Sequence, residues 1–281
     1  MNEPPADSKY TDPDQASKIY FLPNLMTAFN LFCGFLAVIR CIQAKFSADE
    51  LGKSPEQLYT QAVWLILAAV VFDILDGRLA RLGGRESLFG KEFDSIADVV
   101  SFGMAPALMV FFLILSPEYE AYFRKIGWLI GFIYLLCVSV RLARYNVVTH
   151  PLMEESQFTA TKDFIGLPAP AAAGMISSLV LMMNKFGVRG LAIFLPALMI
   201  LIAFLMVSSI RYPSFKHIDW TTRLKFTSFI LVIVVVSILA MVREVGIALI
   251  FLGYIFYGIF LDLRMRLKIR KSKASDNPVN S

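Results

Sequence analysis

Apolar residues dominate this chain in repeated stretches of about 20, the length at which a helix crosses a bilayer core. Polar residues gather in the short breaks between them. The pattern predicts membrane-spanning helices over 20–43, 60–81, 94–115, 126–147, 168–184, 187–209, 225–243 and 245–263. The fifth and seventh are the shortest or least marked, with tight connections at Gly187 and at Arg243-Glu244. Helices are expected throughout, because lipid offers no partner to an open backbone group. The predicted fold class is therefore all-α, a polytopic membrane bundle of about eight transmembrane helices. Residues 1–17 are polar and Pro-containing and read as a disordered cytoplasmic arm. Residues 18–265 form the membrane domain and 266–281 a basic cytoplasmic tail. The first apolar stretch starts late and has no small-residue cleavage site, so a cleavable signal peptide is not expected. No internal repeat is evident.

Composition agrees with this reading: 57% of residues are hydrophobic and 17% charged. Charge then sets the orientation. With a cytoplasmic amino terminus and eight crossings, 19 of the 27 Lys and Arg fall on the cytoplasmic side and 8 on the other, which is the positive-inside bias. Both termini are then cytoplasmic. The basic tail suits anionic lipid headgroups, or serves only to fix topology. Cys33, Cys41 and Cys137 show no metal-ligand spacing and read as apolar fillers. His150 and His217 lie in predicted loops, also without ligand spacing.

Four acids break the apolar pattern. Asp73 and Asp76 are three apart and Asp94 and Asp98 four apart, so each pair projects from one helix face. A Gly83-Gly84 turn lets the two helices fold back beside each other. Acids near a membrane are costly and usually functional, and four converging carboxylates repel unless cations neutralise them. Hard oxygen donors point to Mg²⁺ or Mn²⁺. A structural salt-bridge cluster with Arg78, Arg81, Arg85 and Lys91 is the plainer alternative. The positive-inside orientation puts the acids near the cytoplasmic face, where a nucleotide and Mg²⁺ are available. On the first helix Asn24, Thr27 and Asn30 recur every three residues. Such side chains often bond only between helices, but Asn24 and Thr27 stand level with the aspartates and suit nucleotide contact.

The run Asp73-x2-Asp76-Gly77-x2-Ala80-Arg81-x8-Gly90-x3-Asp94-x3-Asp98 resembles the signature of the CDP-alcohol phosphatidyltransferases at every defined position. The resemblance implies transfer of a phosphatidyl group from CDP-diacylglycerol to an alcohol, with release of CMP, on a six-helix catalytic core followed by two further helices. It implies two divalent ions held by Asp73, Asp76, Asp94 and Asp98, with Asp98 also the general base. It carries Gly77, Ala80 and Gly90 into the cytidine nucleotide pocket, and it implies a homodimer. Arg81 is placed to meet a phosphate or simply to snorkel.

Several stretches are similar to bacterial membrane-type phosphatidylserine synthases: Leu22-Pro23-Asn24-Leu25, Asn30-Leu31-Phe32-Cys33-Gly34, Asp98 to Pro106, Arg141-Leu142-Ala143-Arg144-Tyr145-Asn146 and Phe164 to Pro170. Together they span most of residues 20–265 and imply L-serine as acceptor and a bacterial cytoplasmic (inner) membrane. Arg141 and Arg144, three apart, suit a serine carboxylate, a lipid phosphate or plain anchoring. Ser101 follows Asp98 by one turn and is a candidate for the acceptor pocket. Glycerol 3-phosphate is the alternative acceptor, and a divalent-cation transporter the alternative class. Expected partners are CDP-diacylglycerol, L-serine and membrane lipids; no nucleic acid is expected.

Overall fold

The computed structural model describes residues 21–82, 87–115, 125–148, 164–187, 194–212 and 243–275. Helix α1 (Phe21–Phe46) packs along α2 (Pro55–Leu82). The predicted start of the second span at 60 is too late. Ser54 and Gln57 form a reciprocal capping box, the Gln57 N–H on Ser54 Oγ at 3.3 Å and the Ser54 N–H on Gln57 Oε1 at 3.2 Å. Pro55, which lacks an N–H to satisfy, opens the first turn.

The third span, Leu88–Leu115, is continuous but not uniform. It runs as α3 (Leu88–Asp98), a π-helical segment Val99–Met104, α4 (Ala105–Val110) and a second π segment Phe111–Leu115. Ser87 caps its start, accepting the Gly90 N–H at 3.0 Å. Then come α5 (Gly127–Val148), strand β1 (Phe164–Ile165), α6 (Ala169–Phe186), α7 (Leu195–Val207), strand β2 (Arg211–Tyr212) and α8 (Arg243–Ser275). The strands pair antiparallel, Phe164 opposite Tyr212, tying the entry to α6 to the exit from α7. Gly166, at φ +81°, turns the chain beside the Met206 carbonyl.

Packing follows the logic of a lipid-embedded bundle. Helix contacts are lined by small residues such as Ala37, Ala62, Ala69, Ala172 and Ala173, all fully buried. Large apolar side chains, including Phe32, Phe35, Trp128, Phe204 and Phe256, point outward, as a lipid-facing surface requires. Five described helices are long and apolar enough to cross a membrane: Phe21–Phe46, Pro55–Ala80, Leu88–Leu115, Gly127–Val147 and Val245–Leu267. The sixth predicted span (187–209) is represented by the shorter α7, and the seventh (225–243) lies outside the described residues except for Arg243, which begins α8. So do the arm, the Gly83-Gly84 turn, His150 and His217. Helix α8 runs past 265 to Ser275, into the stretch read as a tail.

Candidate active site

Three of the four aspartates converge, with the fourth close behind them. Helix α2 carries Asp73 and Asp76, and α3 carries Asp94 and Asp98. One carboxylate oxygen from each of Asp73, Asp76 and Asp94 lies within 4.8 Å of the other two. Asp98, one turn deeper, is an electrostatic neighbour of all three. Asp76 and Asp98 are buried; Asp73 and Asp94 are half-buried.

Helix α1 supplies the donors that orient this cluster. The Thr27 hydroxyl lies 2.9 Å from Asp76 Oδ2, and Asn30 Nδ2 donates to Asp98 Oδ1 at 3.0 Å. Thr27, Asn30 and both acids are buried, so these are bonds to carboxylates in a low-dielectric setting, the strong kind. Asn30 is fixed in turn, because its carbonyl accepts the Ser101 hydroxyl at 2.9 Å. This approach depends on Gly34, where any Cβ would overlap Ser101. Ser101 is therefore committed to the contact between α1 and the π segment, and its hydroxyl already has a partner. Asn24, on α1, is half-buried beside the first turn of α3, its Oδ1 3.5 Å from where a Gly90 Cβ would stand. A side chain at Gly90 would crowd this corner. Gly77 and Ala80 are half-buried on α2. Arg81 is in the last turn of that helix, with its side chain outside the described residues.

The opposite wall belongs to α5. Arg141 is half-buried and has Asp98 and Asp73 as charged neighbours, with the phenols of Tyr145 and Tyr254 beside it. Its Nε is buried without a hydrogen-bond partner among the described residues. Arg144, three residues on, is exposed. Of the two arginines read from the sequence, Arg141 is the one that turns toward the acids. Asn146 holds the helices in place, its Nδ2 2.9 Å from Ser95 Oγ and 3.4 Å from Glu92 Oε2 on α3.

A second polar group, missed in the sequence, sits where α8 meets β2. Asp262 is buried, accepting the Arg211 backbone N–H at 3.2 Å and Arg266 Nε at 2.6 Å. The ring of fully buried Tyr212 lies 5.8 Å from that of Tyr254. Burial first, and then the Asp262 charge, push the Tyr212 phenol up to about 12, so it remains protonated at neutral pH. The available signal was Asp262 itself, an acid inside an apolar stretch.

The donor set fits a hard divalent cation. Three carboxylate groups present oxygens to one small space, with no histidine nitrogen or cysteine sulfur in the group among the described residues, where zinc or copper would favour such donors.

Comparison with known proteins agrees with this geometry. The CDP-alcohol phosphatidyltransferase family matches residues 20–208. The chain is 36% identical over 264 residues to a CDP-diacylglycerol--serine O-phosphatidyltransferase of Helicobacter pylori, covering 92% of this chain and 98% of that one. It is 38% identical over 194 residues to the archaetidylserine synthase of Methanothermobacter thermautotrophicus, covering 68% and 69%. It is 34% identical over 164 residues to the CDP-diacylglycerol--serine O-phosphatidyltransferase of Saccharomyces cerevisiae, covering 58% and 55%. The matched region contains all four aspartates together with the α1 and α5 residues that surround them, and the chain belongs to the CDP-alcohol phosphatidyltransferase family.

Proposed function

We propose that this integral membrane enzyme transfers the phosphatidyl group of CDP-diacylglycerol to the hydroxyl of L-serine, giving phosphatidylserine and CMP. The observation that carries this reading is the convergence of Asp73, Asp76 and Asp94 in a chain similar over nearly its whole length to a serine transferase. The serine oxygen forms a bond to the lipid-bearing phosphorus, the bond from that phosphorus to the CMP oxygen breaks, and the serine proton goes to Asp98.

Asp73, Asp76 and Asp94 would hold Mg²⁺ or Mn²⁺, two ions with Asp98 also contributing. When bound, such ions stabilise charge on the phosphoryl and leaving-group oxygens. Asn30 holds Asp98 in one orientation, so the carboxylate is aimed before the acceptor arrives. Asn24, Thr27, Gly77, Ala80, Arg81 and Gly90 form the nucleotide end. Arg141 serves the acceptor carboxylate, with Arg144 nearer the surface for headgroup phosphates. Ser101 acts through Asn30 as a positioning residue. The enzyme works as a homodimer in a bacterial cytoplasmic membrane, with both termini and the site facing the cytoplasm. Its eight spans comprise a six-helix catalytic core and two further helices.

The test is CMP release from CDP-diacylglycerol by the purified protein in detergent, with Mg²⁺ or Mn²⁺. L-serine, glycerol 3-phosphate, inositol and choline are supplied separately. Metal-dependent release with serine, yielding an aminophospholipid, is expected. Release only with another alcohol would keep the chemistry and overturn the acceptor.

A further inference from the structure

The last helix lies outside residues 20–208, where the family matches, yet it reaches the same site. Tyr254, Gly258, Asp262 and Arg266 recur every four residues and share one face of α8. That face grips β2. Asp262 takes the Arg211 N–H and Arg266, and the Tyr212 ring lies over Gly258, where any Cβ would overlap it. Tyr212 is thereby fixed with its side chain fully buried and its hydroxyl without a hydrogen-bond partner among the described residues. Its ring neighbours Tyr254. Tyr254 is an electrostatic neighbour of Arg141, whose Nε is also buried and without a hydrogen-bond partner among the described residues, and Arg141 is one of Asp98. A line of polar groups therefore runs from the proposed base to the last helix.

Buried donors without acceptors weaken a fold unless a ligand completes them. Here the Arg141 guanidinium and the Tyr212 phenol carry buried donors without a hydrogen-bond partner among the described residues, Arg141 bearing a positive charge and Asp262 already engaged by Arg211 and Arg266. A carboxylate matches that set in charge and in its two acceptor oxygens. A phosphate dianion would call for further cations. We propose that Tyr254 and Tyr212, with Arg141, hold the carboxylate of the amino-acid acceptor, and that Asp262 positions Tyr212. This inference rests on the serine reading above.

The test uses the full-length protein in detergent with Tyr254→Phe and Tyr212→Phe. L-serine is varied at saturating CDP-diacylglycerol, and CDP-diacylglycerol at saturating serine. Each change should raise the serine KM about tenfold, the loss expected for one hydrogen bond to a charged group, while the CDP-diacylglycerol KM stays within about twofold. Tyr212→Phe removes an unpartnered buried hydroxyl without adding bulk, so its melting temperature without serine should match or exceed the wild type. A purely structural role would lower it. An unchanged serine KM in both variants, or a rise confined to the CDP-diacylglycerol KM, overturns this inference alone. Wild-type protein that releases CMP with another alcohol but not with serine overturns the serine reading and this inference together.

Discussion

Replacing Asn30 by Leu, close to it in size, isolates what the first helix contributes to the chemistry. Asn30 is fully buried and donates to Asp98 Oδ1 at 3.0 Å, and Asp98 is 5% exposed, so water does not readily replace the lost donor. A hydrogen bond to a buried charged group is worth about 1.5–3 kcal/mol. Expressed in the transition state, that is a loss of about ten- to a hundredfold in kcat/KM for serine. Asn30→Asp should be more damaging. Two carboxylates 3.0 Å apart repel by about 5.5 kcal/mol at an effective dielectric constant of about 20. Initial rates of CMP release at limiting serine measure both variants, with melting temperature and monodispersity as controls for folding. Well-folded Asn30→Leu protein within about twofold of wild-type kcat/KM would refute the claim that this bond aims Asp98.

Other perturbations follow from the same contacts. Asp76→Asn should abolish the rise in melting temperature caused by Mn²⁺, because it removes a carboxylate from the convergent set; a full metal-induced shift in the variant would exclude Asp76 as a ligand. Gly34→Val drives a side chain into Ser101 and should cost about 1–3 kcal/mol of stability, read as a lower melting temperature together with a lower rate. Gly166→Ala places a Cβ at φ +81° against the Met206 carbonyl. It should destabilise by about 1–3 kcal/mol, with proteolysis increasing first around the β1–β2 pair.

The acid cluster was legible because it depends on local spacing: three- and four-residue intervals put each pair on one helix face, and fixed gaps aligned the two pairs. Sequence spacing left Arg141 and Arg144 equivalent, whereas the fold distinguishes them, since only the packing of α5 decides which residue meets Asp98 and which meets solvent. Asp262 and Tyr212 were missed because their partnership spans the region between α7 and α8, and no periodicity connects a two-residue strand to a helix. Polarity alone does not mark the helix ends. The Lys- and Arg-rich stretch after 265 consists largely of good helix formers, so polarity there marks a change of surroundings and α8 simply continues. At α2 the opposite signal, a Ser-Pro-Glu-Gln cap, began the helix before its apolar run.

The π segment Val99–Met104 directly follows Asp98. Its wide turns take up a surplus residue between the α-helical stretch that carries Asp94 and Asp98 and the α-helical stretch Ala105–Val110. Removing one residue within 99–104 would let the segment close to α-helical turns and leave the facing of the acids nearly unchanged. Inserting one would turn Asp94 and Asp98 by about 100° relative to Ala105–Val110, the rotation of one residue in an α-helix. The carboxylates would then swing away from α1 and α2 while the membrane anchor stayed seated. The segment thus acts as a vernier for the aim of the acidic side chains, one that absorbs a shortening far better than a lengthening.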